Sequence, residues 1–228
     1  GGAMGAAAIA GLGHMARTWY GYGKSERDGQ VDPNHDRFMP DYEVRERHEI
    51  RVAAPVADTY AAARALDINR SRLVRAIFRG RELLMHGERA NGHASKPLVD
   101  ETLGLGWGLL TEVAGREIVM GSVTRPWEAD VRFWSLPPDE FARFDAPGYA
   151  KIVWNLAATP VDADHSLFFT ETRVATTDGV SRDKFRRYWT VMSPGIVLIR
   201  RLSLRIVRSD AEQRYRERAE GLRGHLSC

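Results

Sequence analysis

One change of period in the hydrophobic pattern constrains the fold more than any other feature of this chain. Between about residue 107 and residue 176, apolar side chains alternate in short runs between turn residues, as they do in strands. From residue 181 to residue 209 they recur every three or four residues, which predicts one long amphipathic helix. Its apolar positions are Phe185, Tyr188, Met192, Ile196, Ile199, Leu202 and Ile206. A long helix that follows a group of strands must bury its apolar face against their sheet, and this indicates an α+β fold.

The start of this helix and one bend within it also have sequence signals. Ser181 follows a turn at residues 177–179 and is a residue type that commonly caps helix N-termini. We therefore predict that Ser181 is the N-cap. Pro194 and Gly195 lie in the middle of the periodic segment and predict a kink there.

The regular pattern begins with a strand over residues 42–52. One face of this strand carries Tyr42, Val44, Glu46, His48, Ile50 and Val52, and charged residues alternate with them. Pro55 then opens a helix that continues to residue 66. A second helix is predicted over residues 71–85, followed by a loop over residues 86–96. The first strand is expected to lie at or near an edge of the sheet.

A series of strands fills the middle of the chain. They are predicted over residues 107–113, 117–123, 132–135, 142–145, 150–161 and 165–176. Short turns between them predict an antiparallel meander. The complete order is a strand, two short helices, antiparallel strands and one long helix.

Length and composition fit one domain with an extension at each end. The 228 residues are 43% hydrophobic and carry a net charge of +3. We expect an N-terminal extension over residues 1–40, a domain over residues 41–212 and a polar tail over residues 213–228. The apolar segment 6–15 is too short to span a bilayer. It predicts either a short helix packed on the domain or the remnant of an anchor or targeting segment.

Several segments resemble bacterial members of the START/Bet v 1-like superfamily, also called SRPBCC. They read HEIRVAAPVADTY (residues 48–60), GSVTRPW (121–127), FARFDAPGYAKIVWN (141–155), TETRV (170–174) and FRRYWTVMSPGIVLIRRLSL (185–204). The resemblance implies a helix-grip fold, in which a bent antiparallel sheet wraps around the last helix and encloses a cavity. Members of the superfamily bind lipids, sterols, polyketides or plant hormones, and some catalyse cyclisation or aromatisation. The expected partner is therefore an apolar small molecule.

The polar pair Glu46 and His48 is the first candidate for the site. The two residues share a face of the first strand with apolar neighbours. If that face lines a cavity, a carboxylate beside an imidazole could act as an acid/base pair. The alternative is a hydrogen-bonded polar pair near the rim of the sheet.

Glu171 and Arg173 repeat this spacing on the last strand, where both faces carry apolar residues. If Thr170, Thr172 and Val174 face the cavity, Glu171 and Arg173 point away and form a surface pair of small energetic consequence. If the opposite face lines the cavity, Arg173 can anchor a ligand carboxylate, because a guanidinium binds a carboxylate through two parallel hydrogen bonds. The sequence leaves both arrangements open.

Large apolar side chains lie on the segments that should surround a cavity. The candidates for ligand contact are Trp107, Trp154, Tyr188, Trp189 and Met192. Such residues usually form core, but in a partly hollow fold core and cavity lining overlap.

The search for catalytic signatures identifies no residue that can be assigned a catalytic role. HExxH, CxxC, GxSxG and Walker A patterns are absent from the sequence, and the only cysteine is Cys228. Residues 11–16 match a loose dinucleotide pattern, but the preceding residues make a poor strand. No metal or cofactor is expected. The leading hypothesis is a carrier or binding protein, and the alternatives are an aromatase/cyclase-type enzyme and a membrane-associated interaction protein.

Basic residues are concentrated in the last predicted helix. Eight of them lie between residues 182 and 208, where Asp183 is the only acid. This is either an ordinary solvated helix face or a surface that contacts an anionic membrane weakly. Nucleic acid is not an expected partner. A cytoplasmic location is expected, with membrane association through the N-terminal segment as a further hypothesis.

Overall fold

The computed structural model describes residues 32–68 and 96–226, together with residues 13, 15, 18, 19 and 21–23. The predicted helix over residues 71–85 lies outside the described residues, as does most of segment 6–15. The described helices are α1 (Pro33–Phe38), α2 (Val56–Arg64), α3 (Leu98–Gly104), α4 (Pro138–Arg143) and α5 (Gly179–Leu226). The strands are β1 (Val44–Val52), β2 (Gly108–Val113), β3 (Glu117–Thr124), β4 (Phe133–Trp134), β5 (Ala150–Pro160) and β6 (Ser166–Thr176).

The six strands form one bent, open antiparallel sheet in the order β1-β6-β5-β3-β2, with β4 paired to β3. Strand β1 lies at one edge, as predicted, and pairs only with β6. The register of this pair runs from Val44 opposite Val174 to Val52 opposite Ser166. The first strand therefore lies beside the last one, and the chain brings both of them against the final helix.

One predicted strand is a helix instead. Residues 142–145 were expected to be extended, but α4 occupies Pro138–Arg143 and buries Phe141 completely. The physical reason is visible in the sequence, because Pro138 occupies the first turn and Asp139 and Glu140 follow it. The strand prediction for this segment is wrong.

Helix α5 packs on the inner face of the sheet. Its residues Leu204, Val207 and Ala211 belong to one buried cluster with side chains from β1, β3, β5, β6 and α2. Further towards its N-terminus, Phe185 and Trp189 pack with Val44 and Val174. The predicted apolar stripe of the helix therefore contacts the sheet along much of its length, which confirms the helix-grip arrangement.

The other face of the sheet, called the outer face here, is also covered. Phe38 and Met39, which lie at and just after the end of α1, pack with Phe141 of α4 and with Val119 and Val153 of the sheet. Every residue of β3 is buried as a result. Residues 33–39, which the sequence analysis assigned to an N-terminal extension, thus form the second layer on the sheet.

The residue that caps α5 is Asp178 and not Ser181. The helix begins at Gly179, and Asp178 Oδ1 accepts a hydrogen bond from the backbone N–H of Ser181 at 2.9 Å. Oδ2 of Asp178 accepts from the Ser181 hydroxyl at 2.7 Å and from the backbone N–H of Gly148. Ser181 is a donor to the cap because the N-cap lies three residues earlier than predicted. The cap also ties the start of α5 to the loop before β5.

We expect replacement of Asp178 by Ala to lower the melting temperature more than replacement of Asp183, an exposed aspartate in the same turn. The backbone N–H of Ser181, its hydroxyl and the N–H of Gly148 lower the pKa of Asp178 from 3.8 to about 2. Because the folded pKa is the lower one, Asp178 stabilises the fold above pH 4 and this contribution is lost as the pH falls towards 2.

Thermal denaturation followed by circular dichroism at pH 7 and between pH 4.5 and pH 2 measures both effects. The difference between wild type and Asp178→Ala should shrink over the acidic range. Equal melting temperatures for the Asp178→Ala and Asp183→Ala variants would contradict this assignment of the cap.

Candidate functional site

Glu46 and His48 lie on the inner face of the sheet, beneath α5. The alternation of β1 places them between Val44 and Val52, which both pack in inner-face clusters. The Nε2 atom of His48 lies 3.4 Å from Oε2 of Glu46. This Nε2 atom is buried and makes no hydrogen bond with the described residues. The two residues therefore form a close pair with unused hydrogen-bonding capacity.

Arg200 reaches the same place from α5. Its Nη2 donates a hydrogen bond to Thr172 Oγ1, and its Nη1 donates to Thr170 Oγ1 at 3.4 Å. In the register of β1 and β6, Thr170 lies opposite His48 and Thr172 lies opposite Glu46. Together these five residues, two from β1, two from β6 and one from α5, are called the inner polar group here.

The electrostatic situation of Arg200, which is half-buried as a whole residue, is unusual. Its Nε atom is buried without a hydrogen-bond partner, and no carboxylate of the described residues forms an ion pair with it. Burial lowers the pKa of Arg200 to about 10, and the charge of Glu46 opposes this shift only in part. The guanidinium is still protonated at neutral pH, and it interacts with the charge of Glu46 without forming a direct ion pair among the described residues.

Two of the predicted aromatic residues lie beside the inner polar group. Trp154 is opposite Thr172 in the pairing of β5 with β6 and is half-buried. Trp107, just before β2, packs edge-on against Trp154 with ring centroids 6.4 Å apart. Both side chains pack against the inner core cluster and keep part of their surface exposed.

The three predicted residues on α5 occupy a different part of the inner face. Trp189 is buried and stacks on Phe185 at 5.9 Å between ring centroids. Tyr188 is half-buried in the same cluster, and Met192 is half-buried one turn further along the helix. The sequence-predicted residues therefore divide into a Trp107–Trp154 pair near the polar group and a set nearer the start of α5.

The structure also decides the orientation of Glu171 and Arg173. Because Thr170 and Thr172 bond to Arg200, the intervening residues point to the outer face. Residues at and around α1 cover that face, where Glu171 has no exposed surface and Arg173 is 2% exposed. The prediction of an exposed, weak pair is wrong, since N-terminal residues cover what the sequence suggested was a surface.

Glu171 is the centre of an outer ion-pair network. Its carboxylate accepts hydrogen bonds from Arg45 at 3.0 Å, from Arg47 at 3.3 Å and from Arg173 at 2.8 Å. Burial opposes ionisation of Glu171, but the hydrogen bonds from Arg45 and Arg173 outweigh burial and lower its pKa. Arg173 also donates to Asp36 and to the backbone carbonyl of Met39. This network fastens the N-terminal layer to the sheet.

A second buried polar cluster, consisting of Asp32, His35, Glu117 and Asn155, continues from this network. Possible ligand atoms of Asp32, His35 and Glu117 lie within 4.8 Å of one another, a spacing that could hold a metal ion. However, the Asp32 carboxylate already accepts hydrogen bonds from two backbone N–H groups and from Asn155 Nδ2. Its Oδ2 also lies 3.0 Å from His35 Nδ1. Asn155 Nδ2 also donates to Glu117 at 2.7 Å. Hydrogen-bond donors therefore occupy the acceptor positions that a metal ion would need on Asp32.

The sequence analysis missed Arg200 and the Asp32–His35 pair, although both have a sequence signal. Arg200 lies four residues after Ile196 and four before Leu204, in line with the buried positions of the helix. Its charge groups it with the exposed basic residues of the helix, whereas its position in the helical repeat places it with the buried ones. Asp32 precedes Pro33 and is the N-cap of α1, which is a typical helix start.

Comparisons with known proteins extend to the fold only. No family model and no curated protein matches the chain. A conserved protein of Geobacillus kaustophilus is 8% identical, with a TM-score of 0.34 over 75% of this chain and 96% of that one. The Zhui aromatase/cyclase of Streptomyces sp. R1128 is 14% identical, with a TM-score of 0.29 over 75% and 94% of the two chains. The di-domain ARO/CYC BexL is 12% identical, with a TM-score of 0.26 over 74% and 46%.

The helix-grip layout that the sequence resemblance implies is the layout of this protein. The sheet is antiparallel, bent and open, and a helix of 48 residues follows the last strand. Solved structures similar to the chain include two named as aromatase/cyclases. At these identities and TM-scores the likeness says nothing about a shared site or activity.

We expect the substitution Glu171→Gln to destabilise the protein by about 3 kcal/mol, because three arginines would lose the buried carboxylate that compensates them. Glu49→Gln is a matched control. Glu49 also pairs with Arg47, at 3.3 Å, but it is exposed, and its loss should cost under 1 kcal/mol. Urea denaturation followed by intrinsic fluorescence gives both free energies of unfolding. Similar values for the two variants would show that the outer network does not stabilise the fold.

Proposed function

We propose that the protein binds an apolar small molecule between the inner face of the sheet and α5. The observation that carries this proposal is the partial exposure of Trp107 and Trp154 on that face. Large apolar side chains that lie beneath a packed helix and still keep accessible surface adjoin space that another molecule can fill. Binding or transport of a lipid-like or polyketide-like ligand is the function that this arrangement supports best.

The energetics are sufficient for such a ligand. Burial of about 200 Å² of apolar ligand surface contributes roughly 5 kcal/mol before the cost of association. Aromatic surfaces add specific ring contacts, and a few polar groups can set the orientation of the ligand. The inner polar group lies next to Trp154 and can supply that orientation.

An enzyme of the aromatase/cyclase type is a second candidate. The observation that favours it is the contact between Glu46 Oε2 and His48 Nε2 at 3.4 Å on the inner face. A carboxylate that orients an imidazole can assist proton transfer to or from a bound substrate. Mass spectrometry of the ligand after incubation separates the two functions, since a carrier returns the molecule unchanged and a cyclase returns a rearranged or dehydrated product.

We expect N-phenyl-1-naphthylamine, a neutral apolar fluorescent probe, to bind to the wild-type protein. The variant Trp154→Ala should bind it about tenfold more weakly, because the probe loses a large apolar contact. Trp134→Ala is the control, since Trp134 is 42% exposed and packs with Tyr149 among the outer-face residues. Probe titration followed by fluorescence, with a melting curve for each variant, makes the measurement. Equal affinities of folded Trp154→Ala and wild-type protein would contradict this location of the site.

Contact with an anionic membrane surface remains a separate proposal. Arg201, Arg205 and Arg208 are all exposed and follow one another at three- and four-residue spacing on α5. Each arginine near an anionic bilayer contributes about 1 kcal/mol, so three of them support only weak and salt-sensitive attachment. None of the described helices is both long enough and apolar enough to cross a membrane.

We expect the protein to sediment with phosphatidylserine-containing liposomes at low salt and not with neutral ones. The double substitution Arg201→Glu and Arg205→Glu should abolish this sedimentation by reversing the charge of the exposed stripe. The matched control reverses Arg51 and Arg132, which are exposed on β1 and before β4. Equal losses for the two double variants would show that net charge, and not this face of α5, causes the binding.

A further inference from the structure

Arg200 differs in its partners from the arginines of the outer ion-pair network. Arg45, Arg47 and Arg173 all bond to the carboxylate of Glu171 on the outer face. Arg200 bonds only to two threonine hydroxyls, and no carboxylate of the described residues lies within ion-pair distance of it. Buried cations are normally paired, because a guanidinium loses its hydration on burial and needs an anion to replace it.

The hydrogen-bonding groups of Arg200 show where an anion would bind. Nη1 and Nη2 donate to Thr170 and Thr172, which hold the guanidinium plane against β6. The Nε–H remains buried and without a partner. A buried donor that the protein itself leaves unsatisfied is uncommon in native structures, and an ordered water or a ligand can supply its partner.

His48 provides a second unsatisfied atom in the same group. Its Nε2 is buried, lies 3.4 Å from Glu46 Oε2 and makes no hydrogen bond with the described residues. His48 also lies opposite Thr170, one of the two threonines that bond to Arg200. In the tautomer with a proton on Nε2, this nitrogen donates a hydrogen bond, so the group offers two donors from two different elements. A carboxylate has two oxygens and accepts from two such donors at once.

We infer that the ligand of this protein is an apolar monocarboxylic acid whose carboxylate binds at the Nε–H of Arg200 and at Nε2 of His48. Its apolar body extends past Thr172 towards Trp154, which is the next residue across the sheet. This inference rests on the proposed function and adds the chemical class of the ligand. It also transfers to Arg200 the anchoring role that the sequence had suggested for Arg173.

The inference explains why a half-buried arginine stands in line with core positions of the helix. Arg200 is in line with the buried positions Ser193, Val197 and Leu204, where an aliphatic residue would pack without any desolvation cost. Functional sites commonly retain residues that lower the stability of the protein without ligand. The substitution Arg200→Met should therefore raise the melting temperature of the ligand-free protein while it removes the preference for an acid.

The test uses two probes that differ only at one end, where one has a carboxylate and the other its uncharged methyl ester: 11-(dansylamino)undecanoic acid and methyl 11-(dansylamino)undecanoate. We expect wild-type protein to bind the acid at least tenfold more tightly than the ester. Arg200→Met should reduce this preference to less than twofold and leave the affinity for the ester unchanged. Arg200→Lys keeps the charge but loses the Nε–H of the guanidinium, and should retain part of the preference. Arg201→Met is the matched control, because Arg201 is the next residue on α5 and is exposed.

The possible outcomes separate this inference from the proposed function. If neither probe binds to the wild-type protein, the proposed function fails. If both probes bind with equal affinity, the function stands and the inference about the carboxylate is overturned. Loss of the preference in Arg201→Met as well as in Arg200→Met also overturns it, since general positive charge would then explain the effect. If Arg200→Met does not fold, comparison of Arg200→Lys with wild type still decides whether the guanidinium is required.

Discussion

Strand β6 sends polar side chains to both faces of the sheet, and both sets are buried. Thr170 and Thr172 point inward and bind Arg200 of α5, while Glu171 and Arg173 point outward and bind residues of β1 and of the N-terminal layer. The pleat of one strand thus connects the sheet to the final helix on one side and to α1 on the other. Because buried polar groups need hydrogen-bond partners, the donors and acceptors of β6 constrain the positions of both α5 and the N-terminal layer.

The two faces differ in how their charges are compensated. On the outer face, Arg45, Arg47 and Arg173 all form ion pairs with carboxylates, although the buried Nε2 atom of the nearby His35 has no partner among the described residues. On the inner face, Arg200 has no such partner among the described residues, and His48 and Arg200 each keep an unsatisfied nitrogen. The outer network accordingly has a structural role, whereas in the inner polar group a ligand can supply hydrogen-bond partners.

Much of the fold could be predicted from period and order alone. The alternation of β1, the length of β5 and β6 and the three- and four-residue spacing of α5 each reflect burial of one continuous face, which is a local property of the sequence. The errors have local causes of a different kind. Residues 142 and 143 form the end of a helix that starts at Pro138. The cap of α5 is Asp178, because its carboxylate accepts hydrogen bonds from the backbone N–H groups of Ser181 and Gly148.

The sequence by itself determined most of the element order, the shared face of Glu46 and His48 on the first strand, and the candidate aromatic residues. Only the tertiary structure decided which side of β6 meets the helix, because both of its faces are apolar enough to be buried and a period of two cannot distinguish them. In the observed orientation, Arg173 belongs to the outer ion-pair network, and Arg200 is the arginine that lies on the inner face. The physical reason is that the residues at and around α1, distant in sequence, cover the outer face and supply Asp36 and the Met39 carbonyl to Arg173.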